Sequence, residues 1–496
     1  MNENNFIIGI DLGNFSSTVS YYDFNQKKLD IIDASGGYGK ISIPTVVSYS
    51  LDSSDWIFGE YAILNKGFGN DIIFENIVEN LGKDFYYFIN DEKIKTAFIL
   101  SKFLLFLLEN IKNINPNGKI TGIVLSISSI FSEKLIDEIN EAFKLAQLDK
   151  QLIKIVTDKE CLLKKYIFDN KLENDKIFII DYSNRQLRLY IYEIGKNGNL
   201  KCIKTAFKNE LGQHKIYNIT KDLIIEKFLG ETGKFHITPQ EEKNLDIFAY
   251  QHFDYIFQKA NISDVNLYYN FHYPPFKKII TKEEIFNIIL YFEQEINLFF
   301  NKFFKDINIL EKDIKNLILT GGGIEIDFIH KFIKSRFSLN QNFKGNSKRL
   351  ISDGACIIAC QEKGILPKNY IEIEELNKLK NNIGIFINNN FKDEFFPLIY
   401  KNTFILQENK KQIFNLDKLK NLDFNIYKEE NGNYIPIKNI KINLPENLKR
   451  DIKTIRFIME MQFIKENEIL FTIEDFGFGD IFPKTDFKKE FLININ

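Results

Sequence analysis

The chain has 496 residues, 65 Lys+Arg against 67 Asp+Glu, and four cysteines. This length exceeds one hydrophobic core and predicts roughly two to four domains. The net charge of −2 points away from a nucleic-acid polyanion as the main partner, and so few cysteines do not form a disulfide framework. The opening MNENNFIIGID lacks a basic segment ahead of an apolar one. No apolar run reaches the roughly 20 residues of a membrane helix. The expectation is a cytoplasmic protein with neither membrane nor nucleic acid as partner.

FIIGIDLGNFSSTVSYYDF (Phe6–Phe24) carries Asp11 at the end of an apolar strand, turns through Gly13 and Asn14, and returns as a second strand. Turns of this kind often hold phosphate, because glycine lets the backbone approach an anion. From about Lys93 to Asn113 the apolar spacing is helical, and KITGIVLSIS (Lys119–Ser128) is a buried strand. SEKLIDEINEAFKLAQL follows as a helix with Ser132 as its cap. IKIVTD (Ile153–Asp158) is a further strand with a helix behind it. KIFIIDYSNRQLRLYIYEI (Lys176–Ile194) then repeats the opening pattern, with Asp181 in the place of Asp11. Such a repeat predicts two similar α/β halves facing one another.

After Gly195 the pattern is mostly helical until about Phe304. NLILTGGGIEIDFIHKFIKSRF then runs from a strand through Gly321, Gly322 and Gly323 into an amphipathic helix. That geometry can accept an anion or a base at the helix start; a tight strand-to-helix turn uses the same residues. Cys356 and Cys360 could present two thiolates on one helix face, but no second ligand pair lies nearby, so they read as small core residues. Five scattered histidines show no ligand spacing. Near Pro367 the character changes to a charged connector and then to alternating strands. Hairpin turns are expected at Glu430–Asn433 and Lys465–Glu468, giving an all-β domain.

These segments together resemble the heat-shock-70 (DnaK-type) chaperone family. GIDLGNFSSTVSYY followed by IPTVVSYS and FGEYA is similar to the family's opening. GKITGIVLSIS through IVTDKE resembles the strand, helix and strand that lead to its second phosphate loop, and ELGQHKIYN a worn form of its LGGEDFD segment. LIYKNTFILQENKKQIFNL and IRFIMEMQFIKENEILFTIEDFGFG are similar to its β domain, so the resemblance runs collinearly over about residues 6–480.

The resemblance implies an α/β actin-like (duplicated ribonuclease H-like) ATPase fold over residues 1–366, with lobe I about 1–180 and lobe II about 181–366. A linker at 367–382 and an all-β peptide-binding sandwich at 383–496 would follow. The helical lid of the family has no expected counterpart before Asn496. ATP or ADP with Mg²⁺ is the implied cofactor, and unfolded or extended polypeptide, with co-chaperones, the implied partners. Asp11, Asp181 and Asp158 take the catalytic positions, and Asp11 and Asp181 those that organise the metal. Gly13, Asn14, Lys259, Ser263, Gly321, Gly322 and Gly323 take nucleotide-contact positions.

The departures are concentrated in that site. Asn14 and Phe15 replace two threonines. The glycine triplet of the second loop falls on Ser183, Asn184 and Arg185, its threonine on Gln186, and its second aspartate on Arg188. Glu-Pro-Thr becomes Asp158-Lys159-Glu160. The catalytic lysine falls near Ile77, with Lys66 and Lys83 nearby. Glu325 replaces a base-stacking arginine, Ile256 an acid, Ala260 an arginine and Lys348 an aspartate. Phosphoryl transfer depends on positioning and charge neutralisation, so these losses together predict weak or absent hydrolysis. Two roles are open to the new arginines. Arg185 or Arg188 can bind phosphate in partial replacement of Mg²⁺. Alternatively Arg188 pairs with Asp11 or Asp181 and closes an empty cleft, the reading these losses favour.

The charged connector IEIEELNKL is less apolar than the family's, which weakens any route for a nucleotide signal. In the β domain, Ile405, Phe414, Phe424, Ile426, Phe457 and Phe463 build a core or partly line a groove. The expected function is polypeptide binding by a chaperone with a degenerate nucleotide site. The alternatives are an active ATP-dependent folding chaperone and a non-catalytic actin-like scaffold.

Overall fold

A computed structural model describes residues 5–33, 39–67, 71–83, 85–128, 133–170, 176–195, 199–209, 211–259, 263–270, 276–307, 309–337, 349–368, 373–374, 379–389, 392–401, 410–415, 421–430, 432–444, 448, 454–465, 468–479 and 481–495. Ser132, Ala260, Lys348 and Ile405 lie outside these residues, as does most of the connector. The chain divides into two compact units, Met1–Lys201 with Lys208–Ile373, and Cys202–Phe207 with Glu374–Asn496.

In the first unit the opening segment forms an antiparallel hairpin, β1 (Asn5–Leu12) and β2 (Ser16–Asp23), extended by β3 (Lys28–Ile31). Next come the one-turn helix α1 (Ile77–Asn80), α2 (Thr96–Glu109), β4 (Lys119–Ile127), α3 (Glu133–Leu145), β5 (Leu152–Thr157) and α4 (Asp158–Asp169). The sheet runs β5-β4-β1-β2-β3, with β4 parallel to both β1 and β5 and a short strand, Ile43–Pro44, beside β2. The apolar run of β1 is buried on both faces, as expected of a strand within a covered sheet. Ile8, Ile10 and Leu125 share one core with Ile99, Phe103 and Leu107 of α2.

The second sheet repeats this plan. β6 (Lys176–Tyr182) and β7 (Gln186–Ile194) form an antiparallel hairpin flanked by β8 (Leu200–Asn209). The helices α5 (Gln213–Thr232), α6 (Pro239–Lys259) and α7 (Lys282–Ile307) precede β9 (Asn316–Thr320), which lies parallel to β6. The order is β9-β6-β7-β8, with the two-residue strand Ile373–Glu374 at the far edge. In each sheet a central strand carries an aspartate as its next-to-last residue, with an antiparallel partner on one side and a parallel strand on the other. The registers correspond: Asp11 lies opposite Thr18 and beside Ser126, and Asp181 opposite Arg188 and beside Thr320.

Two helices close the unit, α8 (Asp327–Arg336) and α9 (Leu350–Glu362). α9 returns to β1 so closely that a Cβ on Gly9 would lie 2.2 Å from the Ser352 carbonyl oxygen. Cys356 and Cys360 are buried free thiols on α9, and the Cys356 Sγ donates to the Ile7 carbonyl at 3.5 Å. They pack as core residues, in line with the sequence reading.

Some strands escape the helical pattern. Tyr86–Ile89 and Glu92–Lys95 form a hairpin whose last three residues overlap the stretch read as helix from about Lys93. Its turn residues Asn90 and Asp91 both adopt left-handed backbone, φ 48 and 66, as a two-residue hairpin turn requires. β8 and the hairpin Val265–Tyr269 with Phe276–Ile280 likewise interrupt the region read as mostly helical. Alternating burial along Val265–Tyr269 identifies a strand with one face covered.

The second unit is built on β11–β18, after β10 for the edge strand Ile373–Glu374. β11 (Asn382–Asn389), β12 (Lys392–Ile399), β13 (Lys410–Asn415), β14 (Asn421–Glu430), β15 (Asn433–Asn443), β16 (Arg456–Lys465), β17 (Glu468–Asp475) and β18 (Lys488–Asn494) follow in sequence. They make two four-stranded sheets, β12-β11-β14-β15 and β13-β16-β17-β18. One core joins the sheets, with Ile383, Ile426 and Ile440 from the first and Phe457, Phe463 and Phe471 from the second. Phe414 and Phe424 pack against it half-buried. The hairpins close at Glu430 with Asn433 and at Lys465 with Glu468, as the turn residues predict. A mixed α/β unit followed by an all-β unit is compatible with the actin-like fold and sandwich implied by the resemblance. Among the described residues no helix is long and apolar enough to cross a membrane.

Candidate functional site in the cleft between the two repeated hairpins

β1 brings Asp11 to the mouth of the first loop. A Cβ on Gly13 would lie 2.4 Å from the Ser16 carbonyl oxygen, so the tight turn itself requires glycine here. The Gly13 carbonyl accepts from Thr45 Oγ1 at 2.7 Å, and the Thr45 N–H donates to the Phe15 carbonyl at 2.8 Å. Asn14 turns toward α1. Its Oδ1 accepts the Glu79 N–H at 3.0 Å, and its Nδ2 faces Asn76 Oδ1 at 3.4 Å and Glu79 Oε2 at 3.5 Å. The N-cap residue of α1, Asn76, makes no side-chain cap bond. Asn14 therefore satisfies one of the open N–H groups at that helix start.

The second loop reaches the same place from the other hairpin. Arg185 Nη1 lies 2.6 Å from Glu79 Oε2, and Arg185 Nη2 donates to Asn76 Oδ1 at 3.1 Å. Asn14, Asn76, Glu79 and Arg185 thus form one polar bridge between the two loops. The loop's own carbonyls are spent on α5: the Gln213 N–H donates to Ser183 at 3.2 Å and the His214 N–H to Asn184 at 2.7 Å. A Cβ on Gly212 would lie 2.3 Å from the Asn184 carbonyl oxygen, so the helix start and the loop are in direct contact. The first N–H groups of α5, which could face an anion, are turned into this chain's own backbone.

Deeper in the cleft the duplicated strands bring Asp11, Asp158 and Asp181 together. Asp158 opens α4 and accepts from Ser126 Oγ at 2.8 Å. Arg188 Nη1 lies 3.4 Å from Asp181 Oδ2. With its amide oxygen turned inward, Gln186 accepts from Arg188 Nε at 2.9 Å and Nη2 at 2.6 Å while donating to Asn209 Oδ1 at 3.2 Å. Lys159 is buried, its Nζ 5.4 Å from the Tyr190 ring centre.

The electrostatics follow from three carboxylates in a poorly hydrated space. Burial, then Asp158 and Asp181, push the Asp11 carboxyl well above its usual range. Burial also raises Asp158 despite Arg188 and the Ser126 hydroxyl, which oppose it. Asp181 is pushed up to about 6, burial and Asp158 outweighing Arg188. Burial disfavours the Arg188 charge, but Tyr190, Asp181 and Asp158 more than restore it, so it stays a cation.

The glycine run lies against the second loop. Gly321 has φ +90, and a Cβ there would be 2.4 Å from the Tyr182 carbonyl oxygen. A Cβ on Gly322 would be 2.9 Å from Gln213 Oε1, and one on Gly323 only 2.0 Å from the Tyr182 ring. All three glycines are in close contact with this chain's own atoms. Glu325 is exposed, Ile256 is core, and Ser263 is exposed ahead of the Val265–Tyr269 strand. Lys259 ends α6, and its side chain is outside the description.

Ile77 is fully buried in the core beneath α1. Of the lysines near it, Lys66 pairs with Glu75 and lies 3.6 Å from Asp246, while Lys83 lies 3.7 Å from Glu79. Sequence reasoning brought Asp11, Asp158, Asp181 and Arg188 to one place. It missed Asn76 and Glu79, which no motif marks, and passed over Tyr182 and Gln213 inside segments it had quoted. It placed Gln186 only as a lost threonine, not as the group that holds Arg188.

Two family models match the chain: "Family of unknown function (DUF5716) C-terminal" over residues 30–269 and "Domain of unknown function (DUF8552)" over residues 378–495. Among curated proteins the chain is similar to heat-shock-70-type chaperones. It is 23% identical over 383 residues to "Chaperone protein DnaK" of Thermosipho melanesiensis, covering 74% of this chain and 62% of that protein. It is 23% identical over 410 residues to the DnaK of Thermotoga maritima, covering 80% and 66%. It is also 23% identical over 469 residues to "Iron-sulfur cluster biogenesis chaperone, mitochondrial" of Saccharomyces cerevisiae, covering 86% and 69%. The chain spans just under two thirds of the length of these bacterial relatives. The resemblance read from the sequence stands at this level, as distant similarity to the heat-shock-70 class.

Proposed function

We propose that this chain is a heat-shock-70-like chaperone that binds unfolded or partner polypeptide, with a nucleotide site that no longer holds Mg²⁺-nucleotide in the family's manner. The observation that carries this reading is the pairing of Arg188 with Asp181, with Asp158 also acting on the guanidinium. A guanidinium there supplies the positive charge that a divalent cation would otherwise bring to the aspartates. Among the described residues no group of three or more His, Cys, Asp or Glu is placed to hold a metal. The donor set fits an internal ion pair better than a hydrated Mg²⁺, which binds through carboxylates and waters in near-octahedral order. The α5 amides and the three glycines are likewise occupied by the chain itself.

Polypeptide binding is assigned to the β unit, where an extended segment would pair main chain to main chain and seat a side chain in a small apolar pocket. The edge strands β13 and β18 carry exposed Ile413 and Leu492, which suits such pairing.

Calorimetry of the full chain with ATP and ADP, with and without Mg²⁺, tests the first half. The expected result is no magnesium-dependent binding at millimolar nucleotide. Micromolar binding that depends on Mg²⁺ would overturn it and favour the active-chaperone alternative. Anisotropy of a labelled, reduced and alkylated unfolded protein tests the second half, with saturable binding expected. Its absence, with one stoichiometric partner co-purifying, would favour a scaffold.

A further inference from the structure

A cavity of about 570 Å³, lined by none of the cleft residues, opens between the β2–β3 turn, α4 and the start of α9. Three elements contribute cations to its wall: Lys27 and Lys28 from the turn, Lys165 from α4, and Arg349 ahead of α9. The one carboxylate in the wall, Asp353, is 2% exposed, and its oxygens are already engaged. Ser20 Oγ donates to Oδ1 at 2.7 Å, Arg349 Nε donates to Oδ2 at 3.0 Å, and Arg349 Nη2 donates to Oδ1 at 3.2 Å. Lys165 Nζ lies 3.7 Å from Asp353 Oδ2 and 2.9 Å from Asp169 Oδ2. Asp353 therefore orients two cations from behind while turning little negative charge toward the opening.

Lys27 and Lys28 form no ion pair among the described residues. Asp23 is the ladder partner of Lys28, but Asp23 Oδ1 accepts the Asn25 and Gln26 N–H groups at 2.8 and 3.0 Å. The remaining wall is apolar, with Phe168 and Leu350 among its residues. A volume within the usual range for small-molecule sites, an excess of cations and an apolar wall together define an amphiphilic anion site.

We propose that this cavity binds a small anion bearing a phosphate group on an aromatic or aliphatic body. The anionic group faces Lys27, Lys28 and the outer edge of Arg349, where charge-assisted hydrogen bonds are strongest. The body lies against Phe168 and Leu350. This site is independent of the cleft and of the nucleotide reading above.

Phenyl phosphate is the probe, titrated into the full chain by calorimetry at low salt. Saturable binding is expected, weakened about tenfold by the double variant Lys27→Asn/Lys28→Gln, since losing two surface charge contacts removes about 1.4 kcal/mol. Asn suits the left-handed backbone of Lys27, φ 51, so that variant keeps the turn. Arg185→Ala, which alters only the cleft, should leave binding unchanged. Absence of saturable binding at millimolar phenyl phosphate overturns the proposal. So does binding that ignores the double variant, or that is lost in Arg185→Ala and so belongs to the cleft.

Discussion

Arg188 and Asp181 face one another as ladder partners on β7 and β6, with the guanidinium Nη1 3.4 Å from the carboxylate Oδ2. The corresponding pair on the first sheet is Asp11 with Thr18. The two halves of the duplication have therefore diverged at one register position. The first keeps a small hydroxyl beside its aspartate, and the second holds a permanent cation. That cation acts on Asp181 and Asp158, two of the three cleft carboxylates whose proton affinities rise through burial. Removing it would leave those charges unbalanced in a poorly solvated place.

Arg188→Met is accordingly expected to destabilise the protein by about 3 kcal/mol, because one partner of a largely buried ion pair is lost and the other remains. Urea unfolding measures this. Arg188→Met combined with Asp181→Leu should recover part of the loss, since the abandoned carboxylate is removed as well. Equal stability of the single variant and wild type would mean that the pair is solvated and not structural.

The bridge between the loops is of a different kind. Arg185 and Glu79 are both substantially exposed, so Arg185→Ala should cost less than about 1 kcal/mol. Asn14→Ala removes the acceptor of the Glu79 N–H and should cost about 1 kcal/mol, as loss of a helix cap does. Hydrogen exchange separates the two. The Glu79 amide should exchange faster in Asn14→Ala and stay protected in Arg185→Ala.

These contacts mark how far the sequence could be read. The runs FIIGID and IFIID announce buried strands because they are apolar on both faces, and their likeness reveals the duplication. The facing of Asp11 and Asp181 follows from that repeat, whereas Asp158 was brought beside them only by the family resemblance. Asn76 and Glu79 carry no local signal, because their role depends on where the second loop lies in space. The hairpin at Tyr86–Lys95 was hidden because Lys93 onward continues into the helical spacing of α2. Tyr182 directly follows the aspartate and carries no signal of its own, and its contact with Gly323 is visible in three dimensions alone.

The acid side of the stability profile should report the cleft carboxylates. Asp181 is raised to about 6 from an ordinary 3.8, so the folded state binds its proton more tightly than the unfolded state does. Its stabilising contribution is complete below about pH 4 and is lost as pH rises toward 6. Asp181→Asn lacks this titration. The stability of wild type relative to Asp181→Asn should therefore increase as pH falls from 7 to 5, measured by urea midpoints across the range. A difference that stays flat or shrinks toward acid would show that Arg188 outweighs burial at this carboxyl.

Tyr182 and Gly323 allow a separate test of how the glycine run is used. A Cβ on Gly323 would meet the Tyr182 ring at 2.0 Å, which no adjustment of a few tenths of an ångström relieves. The ring is fully buried and its hydroxyl has no hydrogen-bond partner among the described residues. Gly323→Ala should therefore destabilise by about 2 kcal/mol, within the range for overpacking a core. Tyr182→Phe should be neutral or stabilising by up to about 1 kcal/mol, because an unsatisfied buried hydroxyl is removed without changing the ring. Combining Gly323→Ala with Tyr182→Leu should relieve the overlap and cost less than the sum of the two single changes, a coupling that a double-mutant cycle measures directly. Strict additivity would mean that the ring moves aside at little cost and that Gly323 serves the turn through its backbone alone.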